Sequence, residues 1–216
     1  MKKFSQAIII KKLGIRNWKY VYELMNKFTK ERKKNTLDEI WMVEHYPVFT
    51  LGQTKNFNNS LSIDYINNIP VFPSNRGGKI TYHGPGQQLI YFLINLRNQK
   101  INFKEFLFFI QEFIINILKK FFINAYIDYV HPGIYYNLKK IASVGLRIEK
   151  GCSLHGCSLN VNMSLYPFKY IFPCGNKKIQ MTQMIDINKN ITFQQVQIEI
   201  IKQFHNMCNI YKVLSV

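Results

Sequence analysis

The stretch from Asn102 to Phe122 constrains this chain most, because it reads as one long helix that has to be buried. Asn102 is placed to cap a helix starting at Phe103, and Glu105 completes a capping-box pattern. The apolar run from Phe106 to Ile117 carries Gln111 and Glu112 in its middle, and Lys119-Lys120 follow it. That is too short and too polar to cross a bilayer, which takes about 20 apolar residues. The segment is therefore expected to pack inside a folded protein, as a crossover between strand-forming regions.

Strand patterns lie on both sides of it. Ile40 to His45 and Val48 to Leu51 read as strands parted by Pro47, and Ile69 to Phe72 as another. Lys79 to Tyr82 and Gln88 to Leu96 look like a pair joined by the turn residues Gly84-Pro85-Gly86. Beyond the helix, short strands are expected at Ala125 to Val130 and Gly133 to Tyr136. Longer ones follow at Lys140 to Ile148 and Ser153 to Asn162, joined at Lys150-Gly151. Trp18, Val21, Leu24, Met25 and Phe28 recur at helical spacing within Asn17 to Lys30, and Thr192 can cap a last helix from Phe193 to Met207. Strands in the middle with helices at the ends and in one crossover give an α+β (α/β) class, a mixed β-sheet flanked by helices.

With 216 residues and no linker, repeat or composition break, the chain is expected to be a single domain over 1–216, its core running from about 37 to 212. The N-terminal apolar run Ile8-Ile9-Ile10 is cut by Lys11-Lys12, so no signal peptide is read there. The four cysteines are too few for a disulfide scaffold and fit a reducing, cytoplasmic setting. The formal net charge is +17, from 29 Lys+Arg against 12 Asp+Glu. Such a field draws nucleic acid, anionic membrane or an acidic protein. Compositional drift toward Lys, Asn and Ile explains much of the excess, and a surface for an acidic carrier protein most of the rest. No basic recognition motif supports a nucleic-acid-binding module.

Three segments go beyond scaffold. Arg76-Gly77-Gly78-Lys79-Ile80-Thr81-Tyr82-His83-Gly84-Pro85-Gly86-Gln87 packs four glycines into twelve residues, so its backbone can approach a ligand, although a plain hairpin also explains Gly-Pro-Gly. It lacks the Gly-Lys-Ser/Thr ending of a P-loop. Lys140 opens the strand Lys140-Ile141-Ala142-Ser143-Val144-Gly145-Leu146-Arg147, where it either lies in solvent or reaches a cleft. Phe172-Pro173-Cys174-Gly175 presents a thiol on a tight loop, the setting of a reactive cysteine or of a small core residue. Cys152, His155 and Cys157 have a poor spacing for zinc.

Together these segments resemble the octanoyltransferase family of lipoate biosynthesis. Asp38 to Gln53 is similar to its N-terminal block, Arg76 to Gln87 to its substrate loop, Lys140 to Ile148 with Gly151 to Gly156 and Leu159 to Asn162 to its central block, and Ile171 to Gly175 to its catalytic loop. The resemblance implies a biotin/lipoate ligase-like catalytic fold. It implies that Cys174 takes the acyl group and that Lys140 lowers the pKa of that thiol. Arg76, Gly77, Gly78, Lys79, Ile80, Thr81, Tyr82 and His83 are then expected at the substrate site, with Ser143, Val144, Gly145, Gly156, Cys157 and Ser158. Position 157 departs from the family, where an apolar residue is more usual. His83 and His155 either shape the pocket or move protons.

The implied donor is acyl carrier protein with its phosphopantetheine thioester. The implied acceptors are lipoyl domains of 2-oxoacid dehydrogenases and the glycine cleavage H protein. Exchange between thioesters is nearly isoenergetic, so neither ATP nor a metal is expected, and no nucleic acid or membrane. An ATP-dependent lipoate ligase of the same fold is the nearest alternative.

Overall fold

The protein is described by a computed structural model over residues 7–54, 64–172, 175, 179–208 and 210–216. Strand β1 (Ile8–Arg16) leads into α1 (Trp18–Lys30), then β2 (Asp38–His45), β3 (Val48–Leu51), β4 (Tyr65–Ile66), β5 (Ile69–Pro73), β6 (Thr81–His83) and β7 (Gln87–Leu93). Helix α2 (Phe103–Lys120) crosses to β8 (Tyr126–Asp128), β9 (Gly133–Tyr136), β10 (Lys139–Glu149) and β11 (Cys152–Asn160). A 3-10 turn (Tyr166–Tyr170), α3 (Met184–Ile187), α4 (Phe193–Met207) and β12 (Ile210–Ser215) complete the order.

Eight strands form one sheet in the order β12-β1-β2-β7-β11-β10-β9-β8, and four form a smaller one, β4-β5-β3-β6. Strand β1 runs parallel to both β12 and β2, and the pairs from β2 onward are antiparallel, so the large sheet is mixed as expected. Its central hairpin joins β10 to β11 through Lys150-Gly151.

Both capping boxes form. Asn102 Oδ1 accepts the Glu105 N–H at 3.0 Å while Glu105 Oε2 accepts the Asn102 N–H at 2.9 Å, and Thr192 and Gln195 repeat the exchange at α4. Helices α2 and α4 cover one face of the large sheet. Phe113 stacks on Phe204 with ring centroids 4.1 Å apart, and Phe92 of β7 meets Phe106, Phe113 and Phe204 edge-on. Each such ring contributes about 1.5–3 kcal/mol by burial. Helix α1 covers part of the other face, with Val21 and Met25 against Trp41, Leu89, Tyr91 and Leu93. No helix among the described residues is long and apolar enough to cross a membrane.

Two sequence expectations are corrected. Strands β6 and β7 are not a hairpin: β6 pairs with β3 in the small sheet, whereas β7 lies between β2 and β11 in the large one. Gly84-Pro85-Gly86 is thus the crossing between sheets, which the glycine-proline pattern alone does not distinguish from a turn. The core also starts well before residue 37, since Ile8 and Ile10 of β1 are fully buried. Lys11 and Lys12 hide this strand in the sequence, yet Lys11 turns away from the Ile8/Ile10 side and pairs with Glu39 at 2.8 Å, so the alternation of a strand holds through Lys11, ahead of an irregularity between Lys12 and Gly14.

Candidate active site

A cavity of about 250 Å³ opens between the large sheet and the loop that follows β5. Its floor is set by register. Ser143 of β10 pairs with Ser158 of β11, which pairs with Leu89 of β7; two residues along, Gly145 pairs with Gly156 and Gly156 with Tyr91. Small side chains on β10 and β11 leave a groove that Leu89 and Tyr91 bound on one side. Gly156 has a packing reason as well, because a Cβ there would collide with the Ile90 carbonyl on β7.

The roof is the Arg76–Lys79 loop, pinned from both sides. Gly77 N–H donates to Leu146 O at 2.9 Å, Gln53 N–H to Arg76 O at 2.9 Å and Thr54 N–H to Gly78 O at 3.1 Å. The Arg76 guanidinium folds back onto Thr50, donating to its carbonyl at 2.7 Å and its hydroxyl at 2.9 Å.

Every residue expected at the substrate site lines this cavity except one: Arg76, Gly77, Gly78, Lys79, Ile80, Thr81, His83, Ser143, Val144, Gly145, Gly156, Cys157 and Ser158 do. Tyr82 does not. Alternation along β6 turns Thr81 and His83 toward the cavity and sends Tyr82 to the other side, where its ring packs on Phe49 and Phe168. Trp18, Thr54, Leu89, Tyr91, Pro132 and Met181 also line the cavity without having been assigned to the substrate site from sequence, as does His155, which the sequence reading made a pocket-shaping or proton-moving residue.

Lys140 reaches the cleft and is 2% exposed. Its ammonium donates to the Pro132 carbonyl at 2.7 Å and lies 5.8 Å from the Tyr135 ring centroid. Its backbone is clamped by the chain at 180–182: Lys140 N–H donates to Gln180 O at 2.8 Å and Thr182 N–H to Lys140 O at 2.9 Å. A directed relay ties this clamp to the substrate loop. His83 Nδ1–H donates to Gln87 Oε1 (2.7 Å), Gln87 Nε2 donates to Asn160 Oδ1 (2.8 Å), and Asn160 Nδ2 donates to Thr182 O (2.9 Å). Blocks far apart in sequence are wired together here, and only the fold makes that visible.

Burial fixes the protonation of the histidines. Desolvation lowers His83 to about 3, with His45, Arg76 and His155 pushing the same way. It lowers His155 to about 3 and His45 to about 4. All are neutral at neutral pH, which suits them to holding geometry. His155 has a left-handed backbone (φ 61°), and this break in alternation carries its ring onto the face where it meets Tyr22 and Tyr91.

Cys174 and Pro173 lie outside the described residues. Next to them, Gly175 has φ 71° and donates its N–H to Phe172 O at 2.7 Å, a tight left-handed turn. A side chain at 175 would collide with the Lys79 ammonium, so Gly175 sits against the substrate loop. Cys152, Cys157 and Cys208 are buried free thiols, and burial pushes each of them up, away from the thiolate.

This helix-flanked mixed sheet has the fold of lipoyl and biotin protein ligases. Lipoate-protein ligase A bound with ATP superposes with a TM-score of 0.80 at 14% identity, covering 97% of this chain and 89% of that one. The biotin protein ligase of Aquifex aeolicus in complex with biotin and ATP gives 0.55 at 13% identity, over 92% and 68%. The family described as Lipoyl protein ligase A/B catalytic domain matches residues 16–205. An octanoyltransferase of Buchnera aphidicola subsp. Acyrthosiphon pisum (strain APS) is 46% identical over 215 residues, 100% of each chain. Those of Wigglesworthia glossinidia brevipalpis and Vibrio vulnificus (strain YJ016) are 48% and 41% identical, covering 91% and 94% of this chain and 91% and 92% of their own. The chain belongs to the lipoyl protein ligase A/B catalytic-domain family, in its octanoyltransferase branch, and is an acyltransferase.

Proposed function

We propose that this enzyme takes octanoyl from acyl carrier protein onto Cys174 and passes it to a lysine of a lipoyl-accepting domain, with Lys140 as the partner of the thiol. The observation that carries this reading is the buried ammonium of Lys140 in the cavity, with every described cysteine deactivated by burial. Of the four cysteines in the chain, Cys174 is the one that remains. In the first half-reaction the Cys174 thiolate, stabilised by the Lys140 ammonium, attacks the donor's thioester carbonyl. The C–S bond to the pantetheine breaks, and its departing sulfur takes the ammonium proton, leaving Lys140 neutral. In the second, the acceptor amine attacks the Cys174 thioester and its proton goes to Lys140. The new amide forms, the thiolate leaves and the ammonium–thiolate pair is restored.

Neither ATP nor a metal is needed in this scheme. Backbone N–H groups of the glycine-bearing loops would stabilise the oxyanion of each step. Acceptors would be lipoyl domains of 2-oxoacid dehydrogenases and the glycine cleavage H protein, and the setting the cytoplasm, which the free described thiols fit.

Intact-mass measurement after incubation with octanoyl-acyl carrier protein tests the scheme. The protein should gain one octanoyl mass, Cys174→Ala should gain none and lose transfer, and Lys140→Ala should show alkylation of Cys174 displaced to higher pH by about 1–3 units. A full octanoyl adduct on Cys174→Ala would remove the thioester from the mechanism.

A further inference from the structure

The far end of the cavity is closed by rings that the motif blocks do not contain. Trp18, the first residue of α1, lines it, is 4% exposed, and stacks between Tyr22 (4.8 Å) and Phe72 (5.8 Å). Its indole lies beside the Tyr91 hydroxyl. The Tyr91 hydroxyl also lies 2.8 Å from His45 Nε2, and His45 Nδ1 lies 2.9 Å from the Arg16 carbonyl. The carbonyl can only accept, so His45 carries its proton on Nδ1 and Nε2 accepts from Tyr91. Tyr91, His45 and Arg16 O thus form one chain of donors and acceptors behind the indole. Asn17 then caps α1 by accepting the Lys19 N–H at 2.9 Å, which fixes where the Trp18 ring enters. A wall held this firmly resists displacement by a ligand.

Register places that wall opposite Lys140. Tyr91 faces the Gly156–Gly145 row, and Gly145 is five residues along β10 from Lys140, about 16 Å at ~3.3 Å per residue. An eight-carbon chain is about 8 Å long, taking the ~1.2 Å per bond of an extended backbone. The reacting group and the Lys140 side chain take up much of the remaining span. A tail that runs through the cavity from Lys140 therefore ends against the indole and phenol.

We propose that Trp18, braced by Tyr91, is the end stop of the acyl slot and sets the longest acyl chain this enzyme accepts. The proposal rests on the acyl-transfer reading above and adds the residue that measures the substrate. Removing the indole opens space in line with the tail; shorter chains gain nothing from it, since they do not reach.

The test is a donor series, hexanoyl- to dodecanoyl-acyl carrier protein, assayed on the whole protein and on Trp18→Ala and Trp18→Phe. Pocket discrimination of about 10–200-fold per methylene sets the scale. For Trp18→Ala the decanoyl-to-octanoyl ratio of kcat/KM should rise at least about tenfold. Trp18→Phe keeps an aromatic ring between Tyr22 and Phe72 and should shift the ratio less, in the same direction. If the alanine variant does not fold, the phenylalanine variant decides. An unchanged ratio in a folded variant that still transfers octanoyl overturns the end stop and leaves the transfer reading standing. Failure of the unmodified protein with every donor would instead remove both.

Discussion

The two faces of the large sheet are built from different chemistry. On the α2/α4 face, Ile40, Ile90, Phe92, Cys157 and Leu159 meet a layer of phenylalanine, isoleucine and leucine, and Gln111 is the only polar residue that α2 buries. On the opposite face the same strands present Tyr91, His155, Ser158 and Asn160, with His45 and His83 close by, and nearly every polar atom is spoken for by a named partner. One face is held by burial, which is non-directional and tolerant of exchange. The other is held by directed hydrogen bonds, which fix positions but depend on each group keeping its protonation state. The site sits on the face that can be positioned, and the opposite face supplies the stability that allows it.

Acid should separate the faces most strongly. His45, His83 and His155 are lowered from 6.5 to about 4, about 3 and about 3 by burial, so the unfolded chain binds protons that the native one does not. Their contribution to stability is full above pH 6.5 and is lost as pH falls from there toward 3–4. Arg76, whose charge faces His83 and His155, adds to the cost of protonating them. Three such groups remove on the order of 5 kcal/mol between pH 7 and pH 5, where few carboxylates titrate. Denaturant titrations across that range should show a steep fall, and His45→Gln should flatten it by about one proton's share. A stability that stays level from pH 7 to 5 would mean that these rings are not held neutral.

Next in size is a cut on the apolar face. Phe113→Ala removes the ring stacked on Phe204 and touching Phe92 and Phe109. The expected loss is about 3–5 kcal/mol, read from the denaturation midpoint. Below the melting range, octanoyl transfer should stay close to that of the unmodified protein, because no directed bond of the site involves this ring. A large drop in kcat with the protein still folded would show that the faces are coupled through the sheet and undo the contrast.

The same contrast explains what could be read from the residues alone. The apolar face announces itself by period: Phe106, Phe109, Ile110, Phe113, Ile114 and Ile117 of α2 are buried as helical spacing requires. The cavity lining came into view through the family resemblance of short blocks, which pointed to Arg76 to His83, Lys140, and Ser143 to Gly145; their glycines and lysines alone left a hairpin and a solvated side chain equally open. Trp18 and Tyr91 were not legible as site residues. Each fits a core pattern in its own element, and only register and ring packing bring them to the cavity. Tyr82 failed for the opposite reason: block membership put it at the site, and strand alternation turned it away. Strand β1 was missed because its lysines break the apolar run, although the alternation holds through Lys11.

The smallest expected effect concerns neither face but the surface around them. The chain carries a formal charge of +17, and an acidic carrier protein would be drawn to it. Exposed charges act over about 8–10 Å at physiological ionic strength and less as salt rises. If the excess charge serves donor capture, KM for octanoyl-acyl carrier protein should climb several-fold from low to high salt while kcat holds, since the buried relay and Lys140 are screened far less. Octanoyl-pantetheine, which lacks the protein, serves as the control and should show little change in KM. An equal shift for both donors would place the salt effect inside the site, on the polar face. No shift for either would leave the excess lysine as compositional drift, with donor capture resting on contacts at the mouth of the cavity.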